Sequence, residues 1–161
     1  VITHTIIGHS ERRKWHHDSE RIADQIRQAL ACNIKPIVCF GEAKRDAGVS
    51  SILFADLKAD LADLTPDEIN RCIFAYEPVW AISTNAGAVP ATPAYITKVV
   101  SRVQEFFTST YKHTPPILYG GSVNEDNAAE NAGIKQISGA LVGGASLHIR
   151  SFSTICRAFT L

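Results

Sequence analysis

His9, Glu77 and the glycine pairs at 120–121 and 143–144 each follow directly on a short apolar run, which is where chemistry gathers in folds built on parallel strands. A carboxylate at Glu77 can serve as a base, while the imidazole of His9 can polarise a carbonyl or shuttle a proton. Backbone N–H groups of Gly143 and Gly144, at the start of a helix, can hold a phosphate dianion, with Ser122 in the adjacent loop. Taken singly, each has a structural explanation: a satisfied histidine, a solvated loop charge, a tight turn. Their convergence on four run ends points instead to one site on one rim.

The neighbours tune that chemistry. Ile82 and Leu141 are apolar and, folded over Glu77, would desolvate its carboxylate and raise its basicity. A base so tuned suits proton abstraction from carbon. His9 precedes Ser10-Glu11-Arg12-Arg13, which reads as a short helix whose positive end disfavours the imidazolium. His9 is therefore expected to work as a neutral electrophile.

The elements that must position these residues alternate. Apolar runs at 2–7, 36–40, 72–76, 116–119 and 140–142 read as five parallel strands buried on both faces. Helical stripes fall between them: Ile22, Ile26, Ala29 and Leu30; then Leu53, Leu57, Leu61 and Leu64 on a helix from about 49 to 64. The clearest helix has Thr92 as cap, Pro93 at its first position and Ile96, Val99, Val100, Val103, Phe106 and Phe107 on one face. Shorter helices are expected at 127–132 and 147–158. A closed (β/α)8 barrel takes roughly 250 residues, about 31 per unit, so 161 residues correspond to about 5.2 units. The expectation is a single α/β domain over 1–161, a partial barrel of about five βα units, with an open doubly wound sheet as the alternative.

Composition narrows the partners. Sixteen Lys and Arg balance sixteen Asp and Glu, so no net field favours nucleic acid or an anionic membrane. No apolar stretch approaches the roughly 20 residues of a membrane span, nor does the start resemble a signal peptide, and the reading is cytoplasmic. Cys32, Cys39, Cys72 and Cys156 are widely spaced and read as structural thiols. His16 and His17 beside Asp18 have no third ligand at metal-binding spacing and read as solvated loop residues. Trp15 and Trp80 read as packing anchors, and Arg12 and Arg13 as partners of surface ion pairs. The absence of methionine, with Val1 first, is expected to reflect processing or truncation.

Four segments carry a resemblance. Gly8-His9-Ser10-Glu11-Arg12-Arg13, Ala75-Tyr76-Glu77-Pro78-Val79-Trp80-Ala81-Ile82, Tyr119-Gly120-Gly121-Ser122-Val123 and Leu141-Val142-Gly143-Gly144-Ala145-Ser146-Leu147 resemble the triosephosphate isomerase family, in its order and close to its spacing. The resemblance spans essentially the whole chain, as the family's fourth to eighth βα units. It implies the TIM barrel and the interconversion of dihydroxyacetone phosphate and glyceraldehyde 3-phosphate through an enediolate. It makes His9 the electrophile, Glu77 the base and Glu11 the acidic residue that holds a catalytic lysine. Ser83, Ser122, Gly143 and Gly144 would grip the phosphate, and Pro78, Val79, Trp80, Ile82 and Leu141 would form the lid hinge and apolar clamp. Cys39 matches a buried structural cysteine, and Glu42 lies in the same motif. The resemblance implies no metal or organic cofactor, and a homodimer at full length.

Two departures stand out. Residues 82–90 form a longer, less glycine-rich lid without the family's far-hinge lysine, and Ser in place of Gly at 83 tolerates positive φ poorly. The asparagine and lysine that the family places after its first strand are not in this chain, and losing such a charge removes a large electrostatic contribution to rate. Alone, five units would leave a sheet edge unpaired and interior side chains exposed, favouring self-association. The alternatives are another phosphate-binding barrel enzyme, or a truncated, inactive half-barrel that only binds phosphorylated ligands or a partner chain.

Overall fold

β-Branched and aromatic runs alternate with amphipathic stripes, and the chain folds accordingly into alternating strands and helices. A computed structural model describes residues 2–45, 51–82 and 87–160. The strands are β1 (His4–Ile7), β2 (Lys35–Phe40), β3 (Ile73–Tyr76), β4 (Ile117–Tyr119) and β5 (Gly139–Ala140). The helices are α1 (Ser10–His16), α2 (Ile22–Ala31), α3 (Ser51–Asp60), α4 (Pro66–Asn70), α5 (Pro93–Tyr111), α6 (Ala128–Ala132) and α7 (Ile149–Phe159).

All five strands pair in parallel, in the order in which they occur along the chain. A doubly wound sheet requires a point where strand order reverses. Here it never does, so right-handed crossovers place successive helices on one face, as in a barrel. The fold is a partial TIM barrel, and the doubly wound alternative is excluded.

Register explains the core. Val38, Phe74 and Ile117 lie side by side across β2, β3 and β4, and Phe40, Tyr76 and Tyr119 form the next row on the same face. All six are buried among the helix stripes of Ile22, Ile26, Leu57, Val99, Val103 and Phe107. Phe107 meets Phe74 with ring centroids 4.6 Å apart. The opposite face is open, as expected of five units alone and unlike strands buried on both faces: Ile6, aligned with Ile37 and through it with Ile73, is 50% exposed. In a closed barrel that face is filled by side chains from strands all round the circle.

Element ends differ from expectation where pairing or capping decides them. β5 stops at Ala140 because β4 ends at Tyr119, whose carbonyl takes the Leu141 amide at 2.9 Å and leaves nothing for Val142. A 3-10 turn at Gly144–Leu147 delays α7 to Ile149. Within the expected 49–64 helix, 46–50 lie outside the described residues, α3 ends at Asp60, and Leu61 and Leu64 are buried in the turn beyond it. The short α4 was not expected, although Thr65-Pro66-Asp67-Glu68 spells its capping box: Glu68 N donates to Thr65 Oγ1 and Thr65 N to Glu68 Oε2. α5 begins as expected, with Thr92 Oγ1 capping Tyr95 N and Pro93 at N1. Among the described residues, no helix is long and apolar enough to cross a membrane.

Candidate active site

The site lies where β1, β2, β3 and β4 end. Gly8, in the left-handed region at φ 71°, turns the chain out of β1, so that His9 becomes the N-cap of α1. Its Nδ1 accepts the Glu11 amide at 3.3 Å, which requires an unprotonated Nδ1 and assigns the ring hydrogen to Nε2. Nε2 then stands 3.5 Å from Oε1 of Glu77. The cap thus turns Nε2 of His9 toward the site.

Glu77 follows β3 directly and is 3% exposed. Its amide donates to Phe40 O at 2.7 Å, and its Oε2 accepts the Ser10 amide at 3.4 Å. Two glycines make its position possible. A Cβ on Gly41 would fall 1.9 Å from the Glu77 carbonyl oxygen, and one on Gly120 would fall 2.8 Å from Glu77 Cγ. Burial pushes the carboxyl above its ordinary value, against the opposing pull of His9, the Cys39 thiol, the Ser10 amide and Arg13. Gly41, Gly120, Cys39 and Ser10 crowd the group. Burial, with the Glu77 charge second, also holds the Cys39 thiol protonated by raising its pKa.

A second carboxylate braces the turn after Glu77. Oε1 of buried Glu42 accepts from Tyr76 Oη at 2.8 Å, Trp80 Nε1 at 3.0 Å and Tyr95 Oη at 3.0 Å. The Glu42 carbonyl takes the Val79 amide at 3.0 Å, and Trp80 packs edge-on to Tyr95 at 5.4 Å. Pro78, Val79, Trp80 and Ile82 therefore belong to a turn pinned at its base, with Trp80 packed as expected. Sequence reasoning noted Glu42 only as part of a motif and passed over Tyr95, whose place two residues after Pro93 carried no periodic signal.

The glycine-rich exits differ from each other. Gly143 and Gly144 are exposed at the start of their 3-10 turn, where the first N–H groups have no intrahelical acceptor, and a Cβ on either would meet nothing within 4 Å. Ser122 is half-buried, with its amide donating to Ala81 O at 3.1 Å. What Ser122 offers an anion in this arrangement is its hydroxyl. Leu141 is half-buried just past β5. Ser83 lies outside the described residues.

Other expected residues fall as follows. Glu11 is exposed and lines a cavity of about 1020 Å³ together with Lys14, Trp15, Lys44, Ile52 and Val79. Arg12 pairs with Asp18 at 2.7 Å. Arg13 pairs with Asp60 at 2.6 Å, and with side chains 22% and 5% exposed this is a largely buried pair rather than the surface pair expected. Trp15, 67% exposed with Lys14 over its ring, is not a packing anchor within this chain. Of the four cysteines Cys39 and Cys72 are buried, while Cys32 and Cys156 are exposed. Asp60 was missed because a lone acid at a helix end carries no pattern.

Comparison with known proteins points to one family. The family profile for triosephosphate isomerase matches residues 1–159. A triosephosphate isomerase of Roseiflexus sp. (strain RS-1) is 45% identical over 158 residues, covering 95% of this chain and 62% of the relative. Those of Chloroflexus aurantiacus and Dehalococcoides mccartyi are 43% and 42% identical, over 94% and 98% of this chain, and each is covered to 63%. The chain thus spans a little under two thirds of the length of these relatives. With its parallel strands in barrel order, its profile match over nearly every residue and these identities, the chain belongs to the triosephosphate isomerase family.

Proposed function

We propose that this chain is the C-terminal part, fourth to eighth βα units in one domain, of a triose-phosphate isomerase. The observation that carries the reading is the pairing of a buried, basicity-raised Glu77 with Nε2 of His9 at 3.5 Å. A glutamate base beside a neutral histidine is the established pattern of this family rather than a discovery made on this chain. The Glu77 carboxylate takes a proton from the carbon next to the substrate carbonyl. The electron pair moves onto the carbonyl oxygen, and His9 Nε2–H stabilises and protonates that oxygen. His9 then accepts the proton of the neighbouring hydroxyl, and Glu77 returns its own proton to the adjacent carbon. The two aldose and ketose phosphates interconvert with no net gain or loss of atoms.

The remaining expected roles fit around this pair. The amides of Gly143 and Gly144 and the Ser122 hydroxyl take the substrate phosphate, joined by the Ser83 amide from the lid. Glu11 holds the lysine that the preceding units supply. Pro78, Val79, Trp80, Ile82 and Leu141 form the hinge and apolar cover that exclude water from the enediolate. The exposed Ile2 and Ile6 on the β1 side and Leu147 and Ile149 on the β5 side are then covered by those preceding units. We further propose a homodimer, supported by the cavity beside Glu11 and the exposed Trp15 and Ile52 on its rim. Four unpaired cysteines suit the reducing cytoplasm this reading implies.

The test is an isomerase assay on the native-length protein. Interconversion of the two triose phosphates that is lost in Glu77→Gln is the expected result. A correctly folded, native-length protein without that activity would overturn the reading.

A further inference from the structure

Arg13 does more than close an ion pair. Its side chain turns back from α1 so that Nε donates to Gly8 O at 2.7 Å and Nη2 to Cys39 O at 2.9 Å. Nη1 and Nη2 also grip Asp60 Oδ1 and Oδ2 at 2.9 and 2.6 Å. One planar guanidinium therefore joins three elements: the exit of β1, the backbone of β2 and the C-terminal end of α3. Gly8 immediately precedes His9. Cys39 is the residue whose thiol contacts Glu77. Both members of the catalytic pair are thus one step from a carbonyl held by Arg13.

The fit is close. A Cβ on Gly8 would fall 2.7 Å from Arg13 Nη2 and 3.1 Å from the Ile22 side chain, so the positive φ of Gly8 and the guanidinium occupy mutually dependent places. Arg13 is drawn there by Asp60, whose side chain is 5% exposed. A largely buried ion pair is a weak source of net stability, because desolvating two charges offsets most of their attraction. What it supplies is direction: a fork of fixed geometry that lysine, a flexible point charge, does not reproduce.

We propose that Arg13, oriented by Asp60, is a positioning residue that sets the separation of His9 and Glu77 through the carbonyls of Gly8 and Cys39. The proposal rests on the isomerase reading above. Misplacement of reacting groups by about 1 Å from outside the chemistry can cost about 10²-fold in rate, and it lowers turnover more than binding.

The experiment compares Arg13→Lys and Asp60→Asn with wild type in the native-length protein, measuring kcat and KM per folded molecule, thermal stability and the His9 ring nitrogen resonances. Both variants are expected to lose about tenfold or more in kcat, with KM within about threefold, and to shift the His9 resonances. A fall in Tm with wild-type kcat and unmoved resonances would show a structural brace only and overturn the proposal. Where Asp60→Asn does not fold, Asp60→Glu carries the comparison, since it keeps the charge and displaces the fork by one methylene; wild-type kcat in that variant is equally fatal. A wild-type protein that does not isomerise triose phosphates counts against the functional reading alone, and the His9 resonances of the variants then decide the positioning claim.

Discussion

His9 and Glu77 face each other across the mouth of the sheet, with imidazole Nε2 3.5 Å from carboxylate Oε1. The distance is longer than a good hydrogen bond, so the two groups stand close enough to share one small substrate without being locked together. Each is fixed from behind. The Glu11 amide holds His9 Nδ1, and the Ser10 amide holds the other oxygen of Glu77.

Shortening the base tests its reach. Glu77→Asp withdraws the carboxylate by one methylene while keeping its charge, and kcat is expected to fall about 10²-fold with KM little changed. Steady-state kinetics on the native-length protein check this. Equal losses in binding and turnover would argue against a base.

His9→Gln removes the ring whose Nε2–H faces the site. A loss of about 10²-fold or more in isomerisation rate is expected for a group that moves protons in the transition state. An unchanged rate would remove His9 from the mechanism.

Burial of Glu77 has a cost that pH exposes. Its folded-state pKa lies above the ordinary 4.5, so the folded chain binds more protons than the unfolded one between those two values. The stability associated with the protonated group is present below the unfolded value and is lost as pH rises through the folded one. Glu77→Gln, which cannot ionise, is therefore expected to raise Tm at neutral and alkaline pH, with the gain vanishing as pH falls toward the ordinary carboxyl range. Melting curves across pH settle the matter, and a gain that grows on acidification would contradict the sign. For the same reason the acid limb of the kcat/KM profile should fall above the ordinary carboxyl value.

Glu42→Ala removes the acceptor shared by three donors. The Tyr76 hydroxyl is buried and cannot turn to water, so a loss of about 1–3 kcal/mol is expected, chiefly from that group. Trp80 is released as well, and its emission should move to the red over the constant background of exposed Trp15. Unchanged stability and emission would show that the brace is not formed in solution.

Much of this was legible in the residues because local patterns carried it. The Thr92-Pro93 start and the apolar stripe of α5 fix that helix without tertiary help, and the order of the runs already placed His9 and Glu77 at strand ends. The rest depends on contacts between distant segments. The two-residue length of β5 is set by where β4 ends. The roles of Gly41 and Gly120 appear only when Glu77 is seen against them. Asp60 and Tyr95 acquire meaning only through Arg13 and Glu42, which approach from other elements. The open face marked by Ile6 was, by contrast, foreseeable from the count of five βα units alone.

The most direct test follows a proton. Native-length protein incubated with dihydroxyacetone phosphate in deuterium oxide should place deuterium on the carbon that Glu77 deprotonates, and Glu77→Gln should abolish the incorporation. Incorporation at the wild-type rate in Glu77→Gln would contradict the assignment of Glu77 as the base.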